Sequence, residues 1–209
     1  MYLHKTPTII KKIYPQLVWS EKPNNNTIYL TFDDGPVPGQ TEFVLEELET
    51  NNAKATFFCV GENVKKHPGI FSRIIAGNNT VGNHTFNHLN GIKSTFARYL
   101  ENVELCQNEF SKQGYNRIVK LFRPPYGLIT RSLIKELIWK YKIIMWDVLS
   151  GDFDQSLNPR KCLAKVIKST KRGSIIVFHD SKKSDKCLKY VLPRFLEHCR
   201  EKDFQFGVL

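Results

Sequence analysis

The chain lacks the features that would place it in several large classes. Its five cysteines, Cys59, Cys106, Cys162, Cys187 and Cys199, are odd in number and form no C-x-x-C pair, which argues against a disulfide framework and a thiolate zinc site. Reduced thiols follow, and Cys59, inside the apolar run ATFFCVG, is expected to behave as a small buried hydrophobe. No stretch approaches the apolar length needed to span a bilayer. The N-terminal sequence MYLHKTPTIIKKIYPQLVW has scattered lysine and proline where a secretory signal needs an unbroken apolar region and a small-residue cleavage site. The expected location is therefore the cytoplasm. Helix-turn-helix, RRM and zinc-finger signatures are missing, and no repeat, linker or low-complexity tract interrupts the chain apart from the polar turn Asn24-Asn25-Asn26.

What is present is an ordinary globular composition. With 209 residues, 41% hydrophobic and 24% charged, the chain is long enough for one sizeable core and short for two, and a monomer is expected. The formal charge of +11 invites a polyanionic partner, but the basic pairs Lys11-Lys12, Lys65-Lys66, Lys171-Arg172 and Lys182-Lys183 are short and scattered. Solvated lysines on helix faces account for them, and no nucleic-acid partner is expected.

Short β-branched or aromatic runs alternate with longer amphipathic stretches from end to end. The strand candidates are Thr27 to Asp34, Ala55 to Gly61, Asn79 to Thr85, Lys120 to Pro124, Lys142 to Val148, Ser174 to Asp180 and Phe204 to Leu209. Helical spacing is clearest over Thr41 to Asn51, Ser94 to Gln113, Thr130 to Trp139, Pro159 to Lys168 and Asp185 to Lys202. Nearly continuous apolar strands with helices between them imply a parallel sheet covered by helices, either an open doubly wound sheet or a barrel. Polar residues gather at strand C-termini (Asp33-Asp34, His84, Arg123, His179-Asp180, and Asp152 just after its strand), as in a barrel whose βα loops build one site. A glycine-rich phosphate turn after the first strand, the mark of a dinucleotide-binding sheet, is absent. The expectation is a single-domain α/β fold, an irregular (β/α)7-type barrel over residues 27–209. Residues 1–26 supply a short capped helix (Thr6-Pro7, then Ile9, Ile10, Ile13 and Leu17) packing under it, followed by the polar turn.

His84 and His88 in HTFNH have the spacing that puts two imidazoles on one side of a helical turn, within reach of one cation. Spacing alone leaves two unrelated histidines as an alternative. The Asp33-Asp34 pair at the end of an apolar strand adds a carboxylate, and capping the next helix would need only one of the two.

Taken in order, TFDDGP (Thr31 to Pro36), HTFNH (His84 to His88), RPPYG (Arg123 to Gly127) and IIVFHD (Ile175 to Asp180) resemble the motifs of the polysaccharide deacetylases, the NodB-type domain of carbohydrate esterase family four. The resemblance implies the irregular barrel and, position by position, a set of roles. Asp34, His84 and His88 become metal ligands and Asp33 the base that deprotonates the attacking water. His179 becomes the general acid, Arg123 the partner that holds Asp33, and Asp152 the group that tunes His179. Tyr126 would offer its backbone N–H to the oxyanion, with Pro125, Phe153 and Val177 on the substrate side; Thr85 braces the histidine loop. The implied cofactor is a divalent metal, zinc first, with cobalt, nickel or manganese as alternatives.

The fourth motif departs from the family pattern. An Asp-x-x-Asp-Trp arrangement is usual, and here Leu149-Ser150-Gly151-Asp152-Phe153 keeps only the second aspartate. Phe153 still offers an apolar wall, whereas Leu149 removes a polar group, and Val177 stands where leucine is common. Trp146 is assignable equally to the core and to a sugar platform. The function implied is removal of N-acetyl groups from an N-acetylglucosamine-containing glycan of the chitin-oligomer or peptidoglycan type. An O-acetyl esterase acting on a polymer such as xylan would use the same residues. A non-catalytic carbohydrate-binding relative is the third reading, disfavoured because Asp33, Asp34, His84, His88 and His179 are all present.

Overall fold

The computed structural model describes residues 2–22, 25–117 and 120–209, so Asn24 of the polar turn lies outside the described residues. In chain order the elements are α1 (Thr8–Ile13), β1 (Thr27–Asp33), α2 (Gln40–Thr50), β2 (Thr56–Cys59), α3 (Gly61–Lys66), α4 (Pro68–Ala76), β3 (Thr80–Asn83), α5 (Phe96–Lys112) and β4 (Lys120–Phe122). Then follow α6 (Arg131–Leu137), β5 (Tyr141–Ile143), β6 (Val148–Leu149), α7 (Pro159–Ser169), β7 (Ile175–His179), α8 (Asp185–Glu201) and β8 (Gln205–Gly207). Local chemistry sets several helix starts. The Thr95, Thr130 and Asn158 side chains accept from the first-turn amides of α5, α6 and α7, and Pro159 opens α7.

The strands run parallel in the order β5-β4-β3-β2-β1-β7-β6, a half-barrel, with β8 added to β1. Tyr29 pairs with Ile175 of β7 and Gly207 of β8, and Thr31 with Thr56 of β2 and Val177 of β7. Thus β8 and β2 share one edge of β1, and β7 takes the other.

Alternation along β1 divides its side chains between two environments. Ile28, Leu30 and Phe32 join the outer cluster with Val44 and Leu48 of α2 and with Leu188, Leu192 and Phe195 of α8. Tyr29 packs in the barrel interior with Phe58, Leu121, Ile144 and Ile175. Thr31 and Asp33, two and four residues on, share that inner face. A second outer cluster, Tyr99, Val103, Leu133, Ile134, Leu137 and Ile143 among others, lies under α5 and α6.

Two expectations are corrected. The run Lys142 to Val148 is not one strand. It is split into β5 and β6, giving eight strands among the described residues where seven were expected, because the intervening carbonyls bond outside the sheet: Ile144 and Met145 to Arg123, Trp146 to the Thr6 hydroxyl, and Asp147 to the Thr6 amide. No ladder joins β5 to β6 among the described residues. The N-terminal segment closes that seam instead. Val18 N–H donates to Ile143 O (2.9 Å), Met145 N–H to Val18 O (2.7 Å) and Leu149 N–H to His4 O (3.0 Å). Lys5 and Lys11 both pair with the buried carboxylate of Asp147.

The second correction follows from this. The helix α1 does not sit beneath the barrel as a capped element. Its Pro7 N-cap makes no side-chain bond, none of its residues is buried, and Ile9 and Ile13 are exposed, while Thr6 and Pro7 border a cleft at the C-terminal ends of β1 and β7. No helix among the described residues is long and apolar enough to cross a membrane, and all five cysteines are buried and unpaired.

Candidate active site

The site is built around Arg123, which is fully buried where β4 ends. A buried guanidinium is tolerated only when its donors are satisfied. Here Nε donates to Ile144 O (3.2 Å), Nη1 to Thr31 Oγ1 (2.7 Å) and Asp33 Oδ1 (2.7 Å), and Nη2 to Met145 O (2.9 Å). The Phe58 ring lies 4.0 Å beneath the cation. Parallel register places Asp33, the last residue of β1, directly opposite His179, the last of β7, so both arrive at the same rim.

Asp34, His84 and His88 bring one donor atom each within 4.8 Å of one another. Asp34 Oδ1 stands 3.3 Å from His88 Nε2 and 3.9 Å from His84 Nε2. Donors about 2.0–2.2 Å from one tetrahedral ion sit roughly 3.3–3.6 Å apart, so the set fits a divalent cation with little adjustment. His84 Nδ1–H donates to Arg123 O (2.8 Å), leaving Nε2 toward the other donors. Burial pushes its pKa down to about 4, against the raising influence of Asp33 and Asp34, so the ring is neutral as a ligand must be. For Asp34, burial alone would raise the pKa, but the His88 hydrogen bond and the neighbouring imidazoles outweigh it and hold the carboxyl well below its usual range.

The histidines do not meet on a helical turn, as their spacing suggested. They converge through a loop in which Thr85 (φ 63°) and His88 (φ 57°) are left-handed, and this geometry is held by side-chain bonds. Thr85 N–H donates to Asn83 Oδ1 (2.9 Å), Leu89 N–H to Thr85 Oγ1 (2.8 Å) and Phe86 N–H to Asn102 Oδ1 (2.9 Å). Asp34 (φ 87°) and Tyr126 (φ 61°) are left-handed as well. Such conformations cost of order 1–3 kcal/mol each and persist where surroundings enforce them. For Asp34 the enforcers are Asn63, whose Nδ2 donates to its carbonyl (2.8 Å), and Asp180, whose buried carboxylate accepts from Gly35 N–H (3.0 Å) and the Thr41 hydroxyl. Asn63, Asn83, Asn102 and Asp180 escaped the sequence reading in these roles; the one available signal was Asp180 adjoining His179.

His179 Nδ1 bonds Asp152 Oδ1 (2.8 Å), and its backbone N–H donates to Asp152 Oδ2 (2.8 Å). Burial opposes the charged ring, but Asp152 first and then Asp34 and Asp33 raise its pKa to about 9. Phe153 stands edge-on to His179 with ring centroids 5.1 Å apart. The Pro-Pro-Tyr-Gly turn is closed by Gly127 N–H to Pro124 O (3.0 Å) and Leu128 N–H to Pro125 O (3.1 Å), bonds that use the amides after Tyr126 and not its own. Pro125 is buried; the Tyr126 ring is exposed and packs on His88 at 4.6 Å.

One cleft of about 760 Å³ takes in Asp33, Asp34, His84, His88, Tyr126, Phe153, Val177 and His179, together with Leu149 and Trp146. Arg123, Asp152 and Pro125 lie behind these residues. Trp146 is thus cleft wall as well as packing, its ring filling the space a Gly127 side chain would need. The arrangement offers a cation site, a carboxylate and an imidazole on either side of it, and an apolar recess.

A family model described as Polysaccharide deacetylase matches residues 20–138. A peptidoglycan-N-acetylglucosamine deacetylase of Bacillus cereus is 30% identical over 193 residues, covering 91% of this chain and 89% of that protein. A chitooligosaccharide deacetylase of Azorhizobium caulinodans is 31% identical over 165 residues, 75% of each. The chain also matches the longer PgdA proteins of Listeria monocytogenes, spanning 34% of their length. In three dimensions, a peptidoglycan N-acetylglucosamine deacetylase in complex with 4-naphthalen-1-yl-N-oxidanyl-benzamide superposes with a TM-score of 0.88 at 27% identity, over 98% of this chain and 95% of that one.

Proposed function

Because this chain belongs to the polysaccharide deacetylase family, we propose that it hydrolyses the N-acetyl amide of N-acetylglucosamine units in a peptidoglycan-type or chitin-type glycan. Asp34, His84 and His88 hold a divalent cation, zinc first. The observation that carries this reading is the convergence in one cleft of three donor atoms, a carboxylate gripped by a buried arginine, and an imidazole gripped by a carboxylate.

A cation bound there supplies Lewis acidity, bringing the pKa of a bound water toward neutrality and polarising the acyl oxygen. Arg123 occupies Asp33 Oδ1, so Oδ2, which stands 4.0 Å from His84 Nε2, is the atom that accepts the proton of the attacking water. Asp152 occupies His179 Nδ1, and Nε2 protonates the departing nitrogen, without which an amine is a poor leaving group. The Tyr126 N–H donates to the developing oxyanion. Val177, Leu149 and Phe153 enclose the acetyl methyl and the adjoining sugar face; Pro125 fixes the turn.

Metal-loaded protein is expected to release acetate from N-acetylglucosamine oligomers or from peptidoglycan. Acetate from acetylxylan alone would transfer the same machinery to ester hydrolysis, and acetate from none of the three would overturn the catalytic reading.

A further inference from the structure

The catalytic cleft has a wall that none of the catalytic motifs contributes. Tyr2, Leu3, Thr6, Pro7 and Ile10 border it alongside Asp34, His88 and His179. This stretch is anchored independently of any ligand. The Tyr2 hydroxyl donates to Asp154 Oδ2 (2.9 Å), His4 Nδ1–H to Leu149 O (3.0 Å) and the Thr6 hydroxyl to Trp146 O (2.8 Å). Gly151 (φ 78°) makes room for the anchor, since a Cβ there would stand 2.6 Å from the Tyr2 hydroxyl oxygen.

The ring of Tyr2 is thereby fixed 5.1 Å from that of Phe153, which in turn lies 5.1 Å from His179. Leu3 remains 55% exposed although its neighbours on both sides are tied down. Leu3, Tyr2 and Phe153 together present a contiguous apolar face to the cleft. Phe153 stands between Tyr2 and His179, so whatever rests on Tyr2 and Leu3 lies one unit away from the reacting amide.

We propose that the N-terminal segment is a substrate-binding wall, in which Leu3 and the Tyr2–Phe153 pair take the C–H face of the pyranose ring that neighbours the residue being deacetylated. This rests on the deacetylase reading and adds to it a length requirement, a substrate of at least two sugar units. The hydroxyls at the ring's edge then point toward Ser181 and Lys183, which border the same cleft, with the Lys183 ammonium 5.8 Å from the Phe153 ring.

The test compares wild type, Leu3→Ala, Leu3→Asp and Ile9→Ala, each metal-loaded, on an N-acetylglucosamine tetramer and on a small aryl acetate too short to reach the wall. Ile9 is a control from α1, exposed and outside the cleft lining. Leu3→Ala is expected to raise KM for the tetramer roughly fivefold, as when a sugar face no longer covers part of one apolar side chain, and Leu3→Asp to raise it further. The tetramer kcat, metal content and Tm should stay at wild-type values, and Ile9→Ala should match wild type throughout. Tetramer KM unchanged in Leu3→Asp overturns the wall, and so does a kcat loss on both substrates, which would mark the segment as mere support. A wild type inert on both substrates sinks the deacetylase reading and the wall with it.

Discussion

Asp33 and Asp34 are adjacent in sequence and opposite in surroundings. Asp33 keeps the strand alternation and points into the barrel against Arg123, whereas the left-handed backbone at Asp34 turns its side chain out among the imidazoles. Asp33→Asn should therefore retain the metal and lose activity by roughly 10²–10⁴-fold, while Asp34→Ala, His84→Ala and His88→Ala should lose metal and activity together. Metal analysis alongside acetate assays decides between these roles, and metal loss in Asp33→Asn would reverse them. A second expectation concerns His179, whose acid form the proposed mechanism requires for turnover. Asp152 is the main reason its pKa lies near 9, so Asp152→Asn should move the alkaline limb of the kcat profile to lower pH. The same shift bears on stability in the chelated protein. A pKa raised from 6.5 to about 9 on folding contributes stability that is complete below 6.5 and lost as pH rises through 9. The Tm advantage of wild type over Asp152→Asn should accordingly shrink across that window. That these residues gather at one rim was legible in the sequence because each sits in a short motif. Asp180, Asn63 and Asn102 were not, because an asparagine that props a distant loop leaves no local pattern.

At the scale of elements, the informative failure is the run KIIMWDV. Its apolar residues are continuous, so nothing in its periodicity marks the bend between β5 and β6. The partners that draw its carbonyls out of the sheet, Arg123 and Thr6, lie far away along the chain. The helix α1 was misplaced for a related reason, since its three isoleucines suggested a buried face when only Ile10 packs inward. What holds this region is Asp147, buried and shared by Lys5, Lys11 and Ser174. Those hydrogen bonds keep its carboxyl below the usual range although burial pulls the other way. Asp147→Asn is expected to cost about 3 kcal/mol, as when one partner of a buried pair is removed. For a chain of this size that is a Tm lower by roughly 6–12 °C. Limited proteolysis should then cut first within residues 2–22, and a protease pattern identical to wild type would show that the lysines do not anchor the segment.

On the scale of the whole molecule, the half-barrel and its helices were largely readable, because the continuous apolar runs of β1, β2 and β7 and the helical spacing of α5 and α8 are local and strong signals. The core they build does not include the three-donor set. Ile28, Leu30, Phe32, Phe57, Phe178 and Phe195 are all buried in a cluster that contains none of the three donor residues. Removal of metal by a chelator should therefore leave the far-UV circular dichroism spectrum intact and a cooperative melt lowered by at most about 10 °C. Loss of the melting transition on chelation would instead make the cation a staple of the fold.

The seam between β5 and β6 has a further effect, on the order of assembly. Tyr2 to Asp154, His4 to Leu149, Lys5 to Asp147 and Thr6 to Trp146 are pairings 152, 145, 142 and 140 residues apart in the chain. The donor set, by contrast, comes from the ends of β1 and β3, which pair through β2 as successive neighbours. Closing a long loop costs more chain entropy than closing a short one, and distant pairings arrive late. During refolding from urea, metal uptake at the donor set should return first. Hydrolysis and tight handling of the tetramer should follow only when β7 has joined β1 and the N-terminal stretch has docked, so that the refolding protein regains its metal before its turnover.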